Sequence, residues 1–306
     1  MDGKANIPLG ILYGVAAGAL WGTVFVAPAL GSDFTGLQLA AGRYLVYGLV
    51  SALLLIPRWP QLRTWVDGSH WRALAGLSLL ANIIYYVALA TAVQWGGVAM
   101  ASLVIGFLPV VVTVVGSRAA GAVPLRRLMP SLLFSGVAIV CIGWQAVAGG
   151  GGFEWQRIGG FLCAVAALVS WTLYALSNAR WLHRLPHVSA HDWNLLTGLV
   201  TGALSVLLIP AALYFDRATH SDGAWLRFAA ISTGMAVFAS ILGNGFWNRM
   251  SRLLPLTLVG QMILFETLFA LIYGFAWEHR LPAPTEWVAM ACVGMSVLTC
   301  LHAHRR

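Results

Sequence analysis

Two side chains in this sequence would be charged in surroundings that are almost wholly apolar, Arg43 and Glu266. Glu266 is the one acid well inside a long apolar run. A carboxylate at membrane depth is costly to ionise, so it is a candidate for proton exchange or for meeting a substrate ammonium. Arg43 lies about two turns into its own run, where it can hold a substrate carboxylate, gate a path, or snorkel to the interface along its aliphatic stem. Trp21 and Trp171 sit mid-run, and Tyr174 and Asn178 follow Trp171 at helical spacing to make an aromatic wall with an amide. Asn82 and Tyr86 are four residues apart with Tyr85 adjacent, and Asn244 and Asn248 repeat the spacing. Of these two amides, Asn244 is the better placed for a cavity, because Asn248 falls nearer its run's end. A planar apolar substrate stacks on such rings while amides take its ammonium and carboxylate. Tightly packed helices use the same residues, with Trp as filler, Asn as interhelical glue and a protonated Glu as a structural hydrogen-bond donor. Both readings stand at this point.

The chemistry on offer is recognition. Paired aspartates, a Ser with an intramembrane His, or a metal cluster cannot be assembled from groups inside the runs, so enzyme chemistry is not expected. No glycine loop ending in Gly-Lys-Ser/Thr provides an ATPase motor. His183, His187 and His191 are spaced like a metal stripe, but Pro186 interrupts any helix and no acid follows until Asp192. Cys141, Cys163, Cys292 and Cys300 lie in apolar runs without C-x-x-C spacing and read as small hydrophobes. No metal and no cofactor is expected.

What must position these groups is a membrane bundle. Of the 306 residues, 59% are hydrophobic and only 9% charged, with a mean hydropathy of +0.80, too few charges to cover a soluble globule. The formal net charge of +8 is not a nucleic-acid signal, because no basic cluster is interleaved with exposed aromatics. Ten apolar runs, 9–28, 35–57, 72–94, 98–117, 126–147, 158–179, 192–214, 226–248, 254–275 and 285–302, are each long enough to cross a bilayer. Short joints such as Gly31-Ser32-Asp33, Pro57 to Pro60, Gly96-Gly97, Gly149 to Gly152 and Leu185-Pro186 connect them, leaving no room for a soluble domain. The first run has no small-residue cleavage site after a short core and reads as a retained span. With ten crossings, thirteen of the eighteen Lys and Arg fall on the side of the N-terminus, which predicts both termini in the cytoplasm. Twelve of the fourteen tryptophans lie near run ends, as an interfacial belt requires, Trp21 and Trp171 being the exceptions.

The chain reads as built twice. An offset of 150 pairs Gly10 with Gly160, Ala17 with Ala167, Trp21 with Trp171 and Gly48 with Gly198, and sets Tyr44 against Asn194. Later an offset of 158 pairs Ala81 with Ala239, Ile105 with Ile263, Phe107 with Phe265 and Gly116 with Gly274. The change places about eight extra residues around 216–223. Halves 1–148 and 149–306 would each hold five spans, an odd number, so the second enters the membrane inverted. The expected fold is an all-α integral membrane bundle of ten transmembrane helices in two inverted five-helix repeats, an architecture of alternating-access carriers with a midplane site.

Leu20-Trp21-Gly22-Thr23, Ala41-Gly42-Arg43-Tyr44, Leu108-Pro109, Ser170-Trp171-Thr172-Leu173-Tyr174 and Glu278-His279-Arg280-Leu281-Pro282, in this order, resemble the ten-helix EamA-type branch of the drug/metabolite transporter superfamily. Where that branch often has Glu-Pro in the ninth span, this chain has Glu266-Thr267. Within the branch the chain looks most like bacterial exporters of aromatic amino acids. The resemblance implies a carrier in the bacterial inner membrane that binds a small molecule, an aromatic amino acid or related metabolite. Its site residues would be Trp21, Tyr44, Asn82, Tyr85, Tyr86, Trp171, Tyr174, Asn178 and Asn244, with Glu266 and Arg43 coupling or gating. An exporter of another metabolite or of a cationic drug, and behind these a pore or an intramembrane enzyme, are the alternatives.

Overall fold

The computed structural model describes residues 7–116, 124–148, 155–185, 188–215, 219–254 and 256–305, and these are helical throughout apart from short joints. The Gly149 to Gly152 tract, Pro186 and His187 lie outside the described residues. In chain order the helices are α1 (Ile7–Leu30), α2 (Gly36–Leu55), α3 (Gly68–Gly96), α4 (Val98–Ile105), α5 (Leu108–Gly116), α6 (Leu125–Ala148), α7 (Trp155–Arg184), α8 (Ala190–Phe215), α9 (Asp222–Leu253), α10 (Leu256–Trp277) and α11 (Pro284–Arg305). Among the described residues, six helices are long and apolar enough to cross a membrane: α1, α2 with its continuation to Leu62, α3, α7, α8 and α9.

Local chemistry sets the ends. Thr35 caps α2 in a reciprocal box with Gln38. Asp67 does the same for α3 with His70, and the Ser69 hydroxyl, with the His70 backbone N–H behind it, holds the Asp67 carboxyl well below the usual carboxylate range. Gly97 turns α3 into α4 at φ +86°, a conformation open to glycine and strained for other residues. The fourth apolar run, expected as one helix, is instead broken at Gly106-Phe107 between α4 and α5. The Gly106 amide caps back onto Ser102, and Thr267 of α10 presses on the break.

Two interruptions were not expected. α3 is π-helical over Leu79–Ile84 and α9 over Met235–Gly243. A π stretch loosens the regular i to i+4 ladder and leaves carbonyls for other donors. Here those donors come from helices distant in sequence: Trp21 Nε1 donates to Ala239 O at 3.0 Å, and Ser170 Oγ donates to Leu80 O at 2.7 Å.

Packing ties distant helices together. The most extensive contacts are α2 with α8, α1 with α10, α6 with α11 and α3 with α7, and α1 also lies along α9. α2 and α8 cross where Gly48 meets Gly202; a Cβ on either would sit 2.5 Å from the other's Cα, so only glycine permits the approach. The Gly14, Gly18 and Gly22 stripe of α1 packs against α10, with Gly18 over Phe265 and the Glu266 backbone. Leu207, Leu226 and Leu53 project outward, as a lipid-facing surface requires.

Candidate functional site

The helices converge on a narrow central cavity lined by fifteen residues, among them Trp21 and Val24 from α1, Arg43 and Tyr44 from α2, and Ala81, Asn82 and Tyr85 from α3. Trp171 and Tyr174 come from α7, Trp193, Asn194 and Thr197 from α8, Asn244 and Asn248 from α9, and Glu266 from α10. Its volume is about 40 Å³. One water needs ~10–15 Å³, so this conformation holds a few waters and no amino acid. Admitting a solute requires the helices to part.

One wall is aromatic. Trp21 meets Trp171 edge-on at 6.2 Å between centroids, and both pack on Trp247, at 5.0 and 5.7 Å. Tyr174 extends the wall from Trp171 at 5.8 Å. The Trp21 bond to Ala239 O anchors its ring on the π stretch of α9, so α1 and α9 set the wall jointly.

The rest of the lining is mostly polar. Arg43 is 6% exposed, and its guanidinium lies 4.5 Å from the Tyr86 ring centroid and 5.0 Å from that of Tyr44. Its Nε donates to Ser240 Oγ at 3.2 Å, while Nη1 is buried with no partner. Glu266, 4% exposed, lines the same cavity, and no ion pair within 4.0 Å joins it to Arg43. Asn82 Nδ2 donates to Thr201 Oγ1 at 2.9 Å. Tyr47 OH donates toward Asn194, whose Nδ2 reaches the π-stretch carbonyls of Ser240 and Ile241. Asn248 Nδ2 donates to Ala190 O, leaving its buried Oδ1 without a partner. Among the described residues, the lining thus includes a cationic side chain with an unpartnered buried donor, a carboxylate and an amide with an unpartnered buried acceptor, beside a ring wall.

Of the residues singled out in the sequence, Trp21, Arg43, Tyr44, Asn82, Tyr85, Trp171, Tyr174, Asn244 and Glu266 border the cavity. Tyr86 and Asn178 stand one layer behind it. Tyr86 supports Arg43, and Asn178 Oδ1 accepts from Trp193 Nε1 at 2.9 Å, which positions that ring. Trp193, Thr197 and Asn248 also border it, and Trp247 backs the ring wall. The signal for Trp193 was its place at offset 150 from Arg43; that for Asn248 was its spacing from Asn244.

Cross-bundle contacts close both ends. At the end where α1 begins, the near face, Arg58 pairs with Asp192, which also accepts from Ser189, and Arg252 donates to Val188 O. At the far face Arg227 pairs with Asp33 at 2.7 Å, beside the ring cluster of Phe34, His220, Trp225 and Phe228. Because the Asp33–Arg227 pair is half-exposed, its contribution is about 1 kcal/mol or less, enough to bias an opening equilibrium roughly fivefold. Asp33→Asn is therefore expected to speed maleimide labelling of a cysteine placed at Thr197, on a background without native cysteines, by a few-fold from the far side only. Equal acceleration from both sides would mean general loosening.

Apolar helices packed around a narrow polar and aromatic chamber point to the class that the family match then shows: a membrane transport protein. The chain belongs to the EamA-like transporter family, whose model matches residues 8–144 and 158–301. It is 30% identical to the inner membrane protein YtfF of Escherichia coli (strain K12), across 96% of this chain and 95% of that protein. A solved crystal structure of another protein matches at a TM-score of 0.69 and 18% identity, covering 98% of this chain and 100% of that one; it speaks to the fold alone. The family agrees with the broader resemblance. None of these matches names a substrate, and none speaks to the narrower likeness to aromatic amino acid exporters.

Proposed function

We propose that the protein is a secondary transporter of the inner membrane that exports aromatic amino acids by alternating access. The observation that carries this is the cavity's composition. The unpartnered Arg43 Nη1 suits a carboxylate, Glu266 and the free Asn248 Oδ1 suit an ammonium, and the Trp21, Trp171 and Tyr174 rings suit an aromatic side chain. A cationic drug could meet Glu266 but would leave Arg43 without an anion, which disfavours that alternative.

The packing supports two five-helix halves, 1–148 and 149–306, inverted and giving ten crossings, and the Lys and Arg bias supports placing both termini in the cytoplasm. α1 packs on α9 and α10, and its counterpart α7 packs on α3, α4 and α5; α2 packs on its counterpart α8, and α6 on its counterpart α11. A two-fold axis demands this reciprocity. Along the α2–α8 contact, Tyr44 lies by Gly202 whereas Ser51 lies by Gly198, so the pair runs antiparallel, as an axis in the membrane plane requires. The π stretches fall at equivalent places in α3 and α9, both beside the cavity, where loosened ladders can flex.

The test is counterflow. Labelled phenylalanine enters proteoliposomes preloaded with tryptophan faster than those preloaded with alanine, lysine or nothing. Equal entry in all four would point to a pore or to another solute. Trp171→Ala is expected to weaken phenylalanine binding by about tenfold, ~1.4 kcal/mol, while leaving alanine binding nearly unchanged. Titration calorimetry with both ligands checks this, and a parallel loss for alanine would reduce Trp171 to a packing residue.

A further inference from the structure

A second site lies away from the central chamber. Where α6 begins and α11 ends, a groove of about 480 Å³ opens between the two helices, lined by Arg126, Arg127, Pro130, Leu298, Thr299 and His302. Arg126, Arg127 and His302 are exposed, and no described carboxylate pairs with them. The sequence explains why none can come from the flanking chain: no Asp or Glu occurs from 68 to 153 or from 287 to 306. Two arginines in the first turn of a helix also work against its own dipole, which favours anions there. Among the described residues these cations thus have no counter-charge, and a ligand can supply one.

The surroundings say what supplies it. Directly along the bundle from these cations, α6 exposes Met129, Leu133, Val137 and Val140, and α11 exposes Met295 and Leu298. Such apolar stripes face acyl chains in a bilayer, and the cations stand at the stripe's end, where a head group lies. The groove thus joins an apolar channel to a multivalent cationic mouth. A free phosphate would use only the second.

We propose that this groove binds an anionic phospholipid, its phosphate held by Arg126, Arg127 and His302 and its acyl chains laid along α6 and α11. Because α6 and α11 pack mainly on each other, the lipid ties one pair without touching the chamber, so it stabilises the bundle and leaves the substrate site unaltered.

The experiment uses the full chain in neutral detergent, with melting temperature and native mass spectrometry as readouts. Added phosphatidylglycerol raises the melting temperature by several degrees and is retained as a 1:1 adduct, whereas phosphatidylcholine and inorganic phosphate do neither. Arg126→Gln/Arg127→Gln loses at least half of that shift, and Arg126→Lys/Arg127→Lys, which keeps the charge should glutamine impair folding, retains most of it. Arg63→Gln/Arg72→Gln, which removes equal charge from exposed positions elsewhere, keeps the shift whole. An equal loss in both glutamine pairs would overturn the site in favour of diffuse attraction. A shift with inorganic phosphate equal to that with the lipid would make it a free-anion site, and no shift with phosphatidylglycerol would remove it.

Discussion

Replacing Arg43 with glutamine is expected to lower affinity for phenylalanine by about 2–4 kcal/mol, roughly 30- to 1000-fold, without lowering the melting temperature. The two halves of that expectation come from one geometry. Arg43 is nearly fully buried, braced by the Tyr44 and Tyr86 rings and by Ser240, yet its Nη1 has no partner. An unsatisfied buried donor costs about 1–3 kcal/mol, so the empty protein bears a penalty that a bound carboxylate removes. Glutamine abolishes penalty and reward together. Lysine fails nearly as badly, because the planar fork that can use Nε on Ser240 and Nη1 on a ligand has no equivalent in a point ammonium. Calorimetry and thermal melting of Arg43→Gln and Arg43→Lys decide the matter. If binding survives while the melting temperature drops by many degrees, Arg43 is a strut between α2 and α9 and the carboxylate reading is abandoned.

Why some of this was legible in the residues and some was not has physical causes. Polar groups deep in apolar runs are costly anywhere except against a partner or a cavity, so Arg43, Asn82, Asn244 and Glu266 announced themselves by type and depth. Trp193 and Trp247 did not. Near a run's end a tryptophan serves the lipid interface or the interior equally well, and only the Asn178 hydrogen bond and the neighbouring rings turn these two inward. Tyr86 and Asn178 share helical spacing with lining residues but are screened by Arg43 and Trp193, a layering that spacing alone does not encode. The π stretches are harder still. Leu79–Ile84 and Met235–Gly243 are apolar but for Asn82 and Ser240, neither of which marks a π stretch, and what permits them is a donor elsewhere, Ser170 for one and Trp21 for the other. The break at Gly106-Phe107 left a trace in its glycine, yet glycine is common in packed membrane helices and does not by itself mark a break.

Glu266→Gln is expected to weaken phenylalanine binding about 10- to 100-fold and to leave 3-phenylpropionate, which lacks the ammonium, unchanged. Arg43→Gln should show the converse with phenethylamine, which lacks the carboxylate. The reason lies in how the charges break the two-fold likeness of the halves. At the position matching Glu266 the first half has Leu108, and at the position matching Arg43 the second half has Trp193. In the proposed inverted-repeat carrier the two charges have no counterpart in the other half, so one orientation of the substrate is favoured over its reverse. A ligand so held feels each charge separately, and the losses from a variant and from the matching truncated ligand should not add. The same cycle separates binding from coupling. If Glu266→Gln keeps phenylalanine affinity but flattens the pH dependence of flux, Glu266 exchanges protons and the ammonium rests on the Asn248 carbonyl alone. If affinity, flux and pH dependence are all unchanged, Glu266 is a neutral hydrogen-bonding residue of the α10 packing, and the orientation argument falls with it.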